Sequence, residues 1–585
     1  MIAIITSWIA MLVVFLSFGD ILIYLYNRLC KQNEVYGLTD TFLLGMCFVL
    51  IPLSISSLWL PSNQFVLLAF GLLSIIYWYV RKDRFYQIVK HIKSKIGNLS
   101  ILQIFLFIIP VACLIIVIIW QVGVFDSLLY HQQNIRWNED YAVVPGLGNL
   151  EHRFSFNSNY LLLSAIFSFR FLFGESVYSI QVLVLACVIC WIIKNIIQSG
   201  YEVRQLFLLI IITGYIFTFG YTLAATSTDA IPNIVSFYLI AMLLLYPDSL
   251  KNKKLLLVTL PIALVTFKLA VIPLCLFSLY IIVGLIRERS YRTISFLTII
   301  SLFIVSLWII RNFIISGYII FPLHEINIFS VDWKVPSFVA IEERDFILSC
   351  GIRVLDDILK VIANPELTPS GLYQWIMNFI FVGPILLSPF IVIYCLIKKK
   401  FLNKTIYFVY LVLLATVGLW YVGGPDPRFI GGILFAILYY IVYLLFSTSK
   451  EKYFSRCGLL LVCSFSVLMI YWAISRSIKF YNMFDIGTPK VNSRPLSDIL
   501  VRQYPYRELL KSGGLYIYKF VPYTLKNGCV IYISKSPEIP NGRFVCFEDP
   551  FPGTVLKADE YSKYQDISTI EPRGESLQDG FRSKQ

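Results

Sequence analysis

The sequence predicts an all-α polytopic membrane protein of about fourteen spans, ending in a small extracytoplasmic domain that contains β-strands. Three observations predict it. Of 585 residues, 58% are apolar, 16% aromatic and only 14% charged, whereas a soluble domain carries roughly 25% charged residues. Apolar runs recur that reach the roughly 20 residues needed to cross hydrocarbon. The net charge of +14 gathers in loops on one side of those runs, which reads as membrane orientation rather than nucleic-acid binding. This composition excludes an ordinary soluble enzyme and a disordered chain.

The expected spans are 2–26, 38–59, 63–80, 101–122, 177–197, 205–221, 231–247, 254–267, 269–286, 293–313, 371–397, 405–422, 429–446 and 457–475. Residues 2–26 have no positive leader and exceed the roughly 7–15 apolar residues of a signal-peptide core, so they read as a retained helix. Alternating the loops places 23 Lys and Arg on one side, in clusters such as Arg81 to Lys95, Lys251–Lys254, Arg287–Arg292 and Lys398–Lys404. The other side has 10 before residue 476, so the richer side is cytoplasmic. That order requires residues 156–173 to form an interfacial or re-entrant helix in an outer loop, with Arg170 snorkelling to the headgroups. Spans 254–267 and 269–286 are short and meet at Lys268, the pattern of a half-length hairpin buried in protein.

Three regions follow: a three-helix membrane extension over 1–100, a membrane domain over 101–475 with outer loops at 123–176 and 314–370, and an extracytoplasmic domain over 476–585. In the last, the alternating stretches Leu515–Tyr523 and Cys529–Ser534, with turns at Ser512-Gly513-Gly514 and Asn527-Gly528, predict strands. Cys529 and Cys546 both face the oxidising side and are disulfide candidates. No CxxC pair lies in a loop, so neither a zinc nor a redox centre is predicted.

Titratable groups concentrate at the outer ends of spans. In Gly123–Asn159, Asp126 follows a span, Tyr130 and His131 lie one helical turn further on, and Glu151, His152, Arg153 and Asn157 come next. A carboxylate at the membrane edge beside His and Arg can act as general base toward a hydroxyl, ligate a divalent metal, or cap a short helix. Asp229, in a polar outer turn, reads as a helix N-cap, with a substrate contact as the alternative. Lys268 inside a short hairpin needs an anion, and the phosphate of a lipid carrier would supply one. Arg311 offers a second cation or an interfacial anchor. The stiff turn Gly423-Gly-Pro-Asp-Pro-Arg428 positions Asp426 and Arg428, whose fork suits phosphate. No GxxxxGK[ST] or GxGxxG occurs in the cytoplasmic loops, so no nucleotide site is predicted.

The stretches FDSLLYHQQNIRW and VPGLGNLEHRFSFNS, the turn YVGGPDPRFIGG and the terminal RGESLQDGF carry a resemblance. From about residue 100 to its end the chain resembles the GT-C superfamily of integral-membrane glycosyltransferases, most closely a bacterial family of GT-C-like membrane proteins. The resemblance implies a GT-C-like fold and sugar transfer from a polyprenyl-phosphate-linked donor to a glycan or lipid acceptor. Asp126 stands at the loop-one acidic position, usually the catalytic base, and Lys268 and Arg428 where cations would hold the carrier phosphate. Asp126 is followed by Ser127, where many members have a second acid. The resemblance implies no certain cofactor, a divalent metal being possible, and no nucleic-acid partner. It places the chain in the bacterial cytoplasmic membrane, with the N-terminus and the C-terminal domain outside. Two alternatives stand beside it: a transporter or exporter of saccharide or lipid-linked oligosaccharide, which would carry paired discontinuous helices in both halves, and a polysaccharide polymerase.

Overall fold

The computed structural model describes residues 1–119, 126–398, 403–446, 455–485, 500–501, 519–535, 550–554 and 567–584. Its helices are, in order, α1 (Ile2–Cys30), α2 (Leu38–Ser56), α3 (Gln64–Val80), α4 (Lys82–Gly97), α5 (Ile101–Ile119), α6 (Gln132–Asp140), α7 (Asn159–Ile166), α8 (Arg170–Phe173), α9 (Ile180–Gln198) and α10 (Val203–Phe219). The second half follows. It comprises α11 (Ala230–Leu245), α12 (Ser249–Asn252), α13 (Lys254–Val265), α14 (Cys275–Arg287), α15 (Tyr291–Ser316), α16 (Ser337–Ala363), α17 (Pro369–Ile397), α18 (Lys404–Gly423), α19 (Gly431–Leu445) and α20 (Ser455–Asp485).

Over their described residues all fourteen apolar runs are helical, but fewer are full-length spans. Among the described residues, ten helical stretches are long and apolar enough to cross a membrane. Three others, α11, α13 and α19, have 16, 12 and 15 residues. α11 buries every residue but its last, and a helix enclosed by other helices need not match the bilayer's thickness. The chain is a multi-pass membrane protein.

Two expectations are corrected. Residues 81–95 are not a loop: they form the amphipathic helix α4, bent 89° from α3. The run 156–173 is not one interfacial helix: α7 buries all eight of its residues, as the re-entrant alternative has it, while the short α8 leaves Phe171 and Leu172 more than half exposed. Arg170 does not reach for headgroups, because its Nε pairs with Glu139 at 2.7 Å.

The N-terminal helices are built into the rest. A Cβ on Gly19 would meet the Thr41 carbonyl at 1.9 Å, and one on Gly45 the Phe15 carbonyl at 1.7 Å, so α1 and α2 touch backbone to backbone. Ser7 then donates to the Phe167 carbonyl at 3.0 Å, tying α1 to the chain just after α7.

Beyond α20, β1 (Lys519–Thr524) pairs antiparallel with β2 (Val530–Lys535), and β3 (Gly553–Thr554) lies parallel to β2. β4 (Ile570–Pro572) and β5 (Phe581–Ser583) form an antiparallel pair. The Asn527-Gly528 turn forms as expected: Gly528 has φ +85°, and Asn527 accepts from the Cys529 amide at 3.1 Å. Ser512-Gly513-Gly514 and Cys546 lie outside the described residues. The Cys529 thiol donates to the Glu575 carbonyl at 3.4 Å. These strands share one apolar core with the first outer loop, where Trp137, Leu150 and Phe154 pack with Ile531, Ile533 and Phe581.

Candidate functional site

The site grows from two turns that face each other. Asp126 opens a five-residue π-turn over Ser127–His131 that runs into α6. This turn is held to one carbonyl: Ser127 Oγ donates to Thr226 O at 2.9 Å and His131 Nδ1 to the same oxygen at 2.5 Å. A carbonyl only accepts, so the Nδ1 of His131 carries the proton. Burial pulls this imidazole down to about 4, and its buried Nε2 has no hydrogen-bond partner. The Tyr130 ring sits 4.2 Å from that of His131.

The second turn follows α18. Asp426 accepts from the Arg428 amide at 2.9 Å, its own carbonyl accepts from Trp420 Nε1 at 2.7 Å, and Arg428 O accepts from Asn233 at 2.7 Å. Gly351 of α16 lets that helix close on the turn, since a Cβ there would come within 2.6 Å of Pro425 N. The prolines and this bracing fix where Arg428 points.

Across the gap, Arg428 meets Asp126 at 2.9 Å and Asp426 at 3.0 Å. Lys268, at the α13 end of the hairpin, pairs with Asp229 at 2.7 Å. Both cations also flank one ring: Lys268 Nζ is 4.1 Å and the Arg428 guanidinium 5.2 Å from the centre of Phe429. Four separate segments thus bring Asp126, Asp229, Lys268, Asp426 and Arg428 together. Three acids against two cations leave −1 if every group is charged. The Arg428 side chain keeps 35% of its surface open and Lys268 26%, so both can meet a ligand.

The carboxyls are pushed apart. Burial acts to raise Asp126, but Arg428, helped by His131, Arg153 and Lys268, outweighs it and holds the group below the usual carboxylate range. Asp426 goes up, chiefly through burial and also through the neighbouring Asp229. The two carboxyls are thus shifted in opposite directions, Asp126 down and Asp426 up, the kind of separation that acid–base sites show.

A second, buried cluster adjoins the first. His152 lies between Glu151, 3.2 Å from Nδ1, and Glu343 of α16, 3.0 Å from Nε2, and Arg153 reaches Glu343 at 3.3 Å. Glu343 was not foreseen, because its partners lie 191 residues away. Its one sequence signal is the Glu342-Glu343-Arg344 run inside an otherwise amphipathic segment.

Arg311 and Asn157, both expected at the site, have other work. Arg311 is fully buried and meets no carboxylate: it donates to Ser57, to Asn138 at 2.6 Å and to Asn157 at 3.4 Å. It is a tie between α15, the chain after α2, α6 and the first outer loop, and Asn157 is one of its anchors. Asp229 stands at the start of α11 yet makes no capping bond; its carboxylate is given to Lys268. Among the described residues no group of three His, Cys, Asp or Glu side chains is placed to hold a metal ion: Glu151 and Glu343 face the His152 ring nitrogens, and Asp126, Asp229 and Asp426 face Arg428 and Lys268.

Residues 1–435 match the family model described as a domain of unknown function (DUF8201). No curated protein and no solved structure matches the chain. The matched range holds all five converging residues.

Proposed function

The chain belongs to the DUF8201 family, and from that premise we propose that it is a GT-C-type membrane glycosyltransferase. It moves a sugar from a polyprenyl-phosphate-linked donor to an extracytoplasmic glycan or lipid acceptor, in a bacterial cytoplasmic membrane, with its N-terminus and C-terminal strands outside. The observation that carries this reading is the convergence of Asp126 with Lys268 and Arg428, from segments far apart in the chain, beyond the ends of apolar helices.

Donor phosphate enters between Arg428 and Lys268 and competes with their carboxylates. Arg428 turning to phosphate releases Asp126. The acceptor hydroxyl oxygen then bonds to the anomeric carbon as the carbon–oxygen bond to phosphate breaks. Polyprenyl phosphate leaves with that electron pair, its charge met by the two cations. The hydroxyl proton passes to Asp126, which is a carboxylate in the resting site and becomes a stronger base once Arg428 has turned away.

The test is Asp126→Asn in vesicles supplied with a radiolabelled polyprenyl-phosphate hexose. Transfer falls by roughly 10²–10⁴-fold if Asp126 is the base. A folded variant with undiminished transfer ends the reading, and saccharide flux with no covalent product points to an exporter.

A further inference from the structure

α4 is not used by this chemistry. It has 16 residues and buries none of them against the protein. It links α3, an apolar helix of 17 residues, to α5, a full span. With its 89° bend from α3, a helix roughly 24 Å long must run along one face of the membrane. The bend is braced: Tyr77 donates to Asp20 at 2.6 Å, Trp78 to Ser17 at 2.7 Å, and Arg81 covers the Tyr24 ring at 4.2 Å.

The helix has two faces. Phe85, Ile88, Val89, Ile92 and Ile96 recur at intervals of three and four residues, and Phe85, Val89 and Ile96 remain 46%, 45% and 50% exposed. Lys82, Arg84, Lys90, Lys93 and Lys95 stand against the single acid Asp83, so 5 − 1 gives +4. Only Arg84 turns inward, to Asp20 at 3.5 Å. The apolar stripe continues the uncovered surface of α3, where Leu68, Leu72 and Ile75 are more than half exposed.

We propose that α4 is an interfacial helix that binds anionic phospholipid, its apolar stripe seated at the acyl boundary and Lys90, Lys93 and Lys95 on headgroup phosphates. Continuity with the exposed face of α3 supplies the lipid, and the charge selects the anionic kind. The inference is independent of the proposed transfer reaction.

The full chain is reconstituted in phosphatidylcholine vesicles, with and without phosphatidylglycerol, each containing a trace of photoactivatable phosphatidylglycerol or phosphatidylcholine. Cross-links are mapped by mass spectrometry. The phosphatidylglycerol probe is expected to label the 82–97 peptides preferentially and to be competed by unlabelled phosphatidylglycerol. Each lysine neutralised in Lys90→Gln, Lys93→Gln and Lys95→Gln lowers that preference by roughly fivefold. These exposed positions leave the fold intact, which α1–α2 protease protection verifies. Equal labelling by both probes, an unchanged preference when all three substitutions are combined in one chain, or capture of a protein by α4 in place of lipid overturns the proposal.

Discussion

His131 is held neutral by its surroundings, and that has a measurable cost in acid. Burial lowers its imidazole to about 4, against roughly 6.5 in an unfolded chain. Between those values the unfolded chain binds a proton that the folded chain refuses. The stabilisation is therefore complete above about pH 6.5 and is lost as pH falls toward 4. It amounts to at most about 3 kcal/mol. Asp126, also held low, adds a loss of the same sign at more acid pH. Thermal unfolding is expected to shift down by several degrees between pH 7 and pH 5. His131→Gln keeps a donor for Thr226 and does not titrate, so its melting temperature changes less over that range. A variant as acid-sensitive as the parent assigns the effect to another group. Residue type alone does not set role: Arg428 is about one-third open among carboxylates, whereas Arg311 is sealed among neutral acceptors.

At the scale of elements, the position of the Arg428 turn depends on how closely α19 approaches α11. A Cβ on Gly432 would lie 1.9 Å from the Asn233 carbonyl, whose residue also braces Arg428, while a Cβ on Gly284 in α14 meets nothing within 4 Å. Gly432→Ala is expected to cost about 1–3 kcal/mol and to displace the turn, whereas Gly284→Ala is neutral or gains up to about 1 kcal/mol. Denaturation midpoints of the pair check this, and equal midpoints refute the close approach. The ten long spans were legible because a bilayer imposes length and apolarity on a helix that crosses it. α4 was not, because its lysines served as a topology signal and hid the isoleucines that recur every four residues, Ile88, Ile92 and Ile96. The run holding α7 left two readings, interfacial or re-entrant, because a mostly apolar stretch fits a lipid face and a protein core alike. Asp126, Lys268 and Arg428 were legible individually as costly charges beside apolar runs. Their pairings, and Glu343, were not, since packing rather than local pattern brings such distant residues together.

For the whole molecule, the C-terminal strands close over the outer loop that carries Asp126. Gln133 donates to Pro550 O at 2.9 Å and accepts from Gly553 N at 3.0 Å, and Thr554 donates to Leu150 O at 2.9 Å. Phe581 N donates to Pro145 O at 3.0 Å, and its ring is fully buried 6.1 Å from that of Trp137. Gly146 and Gly580 allow the contact, because a Cβ on either would lie about 2 Å from the facing carbonyl. α6 begins directly after His131, so the order of the π-turn depends on this clasp. Phe581→Ala removes the ring at a cost of about 3–5 kcal/mol, and that loss falls on the shared core rather than on the membrane helices. Hydrogen exchange is expected to quicken across residues 127–150 and to stay unchanged in α9 and α11. If exchange in 127–150 is unaltered, the loop holds its shape alone and the strands serve another end. If α9 and α11 also loosen, the clasp and the membrane helices form one cooperative unit.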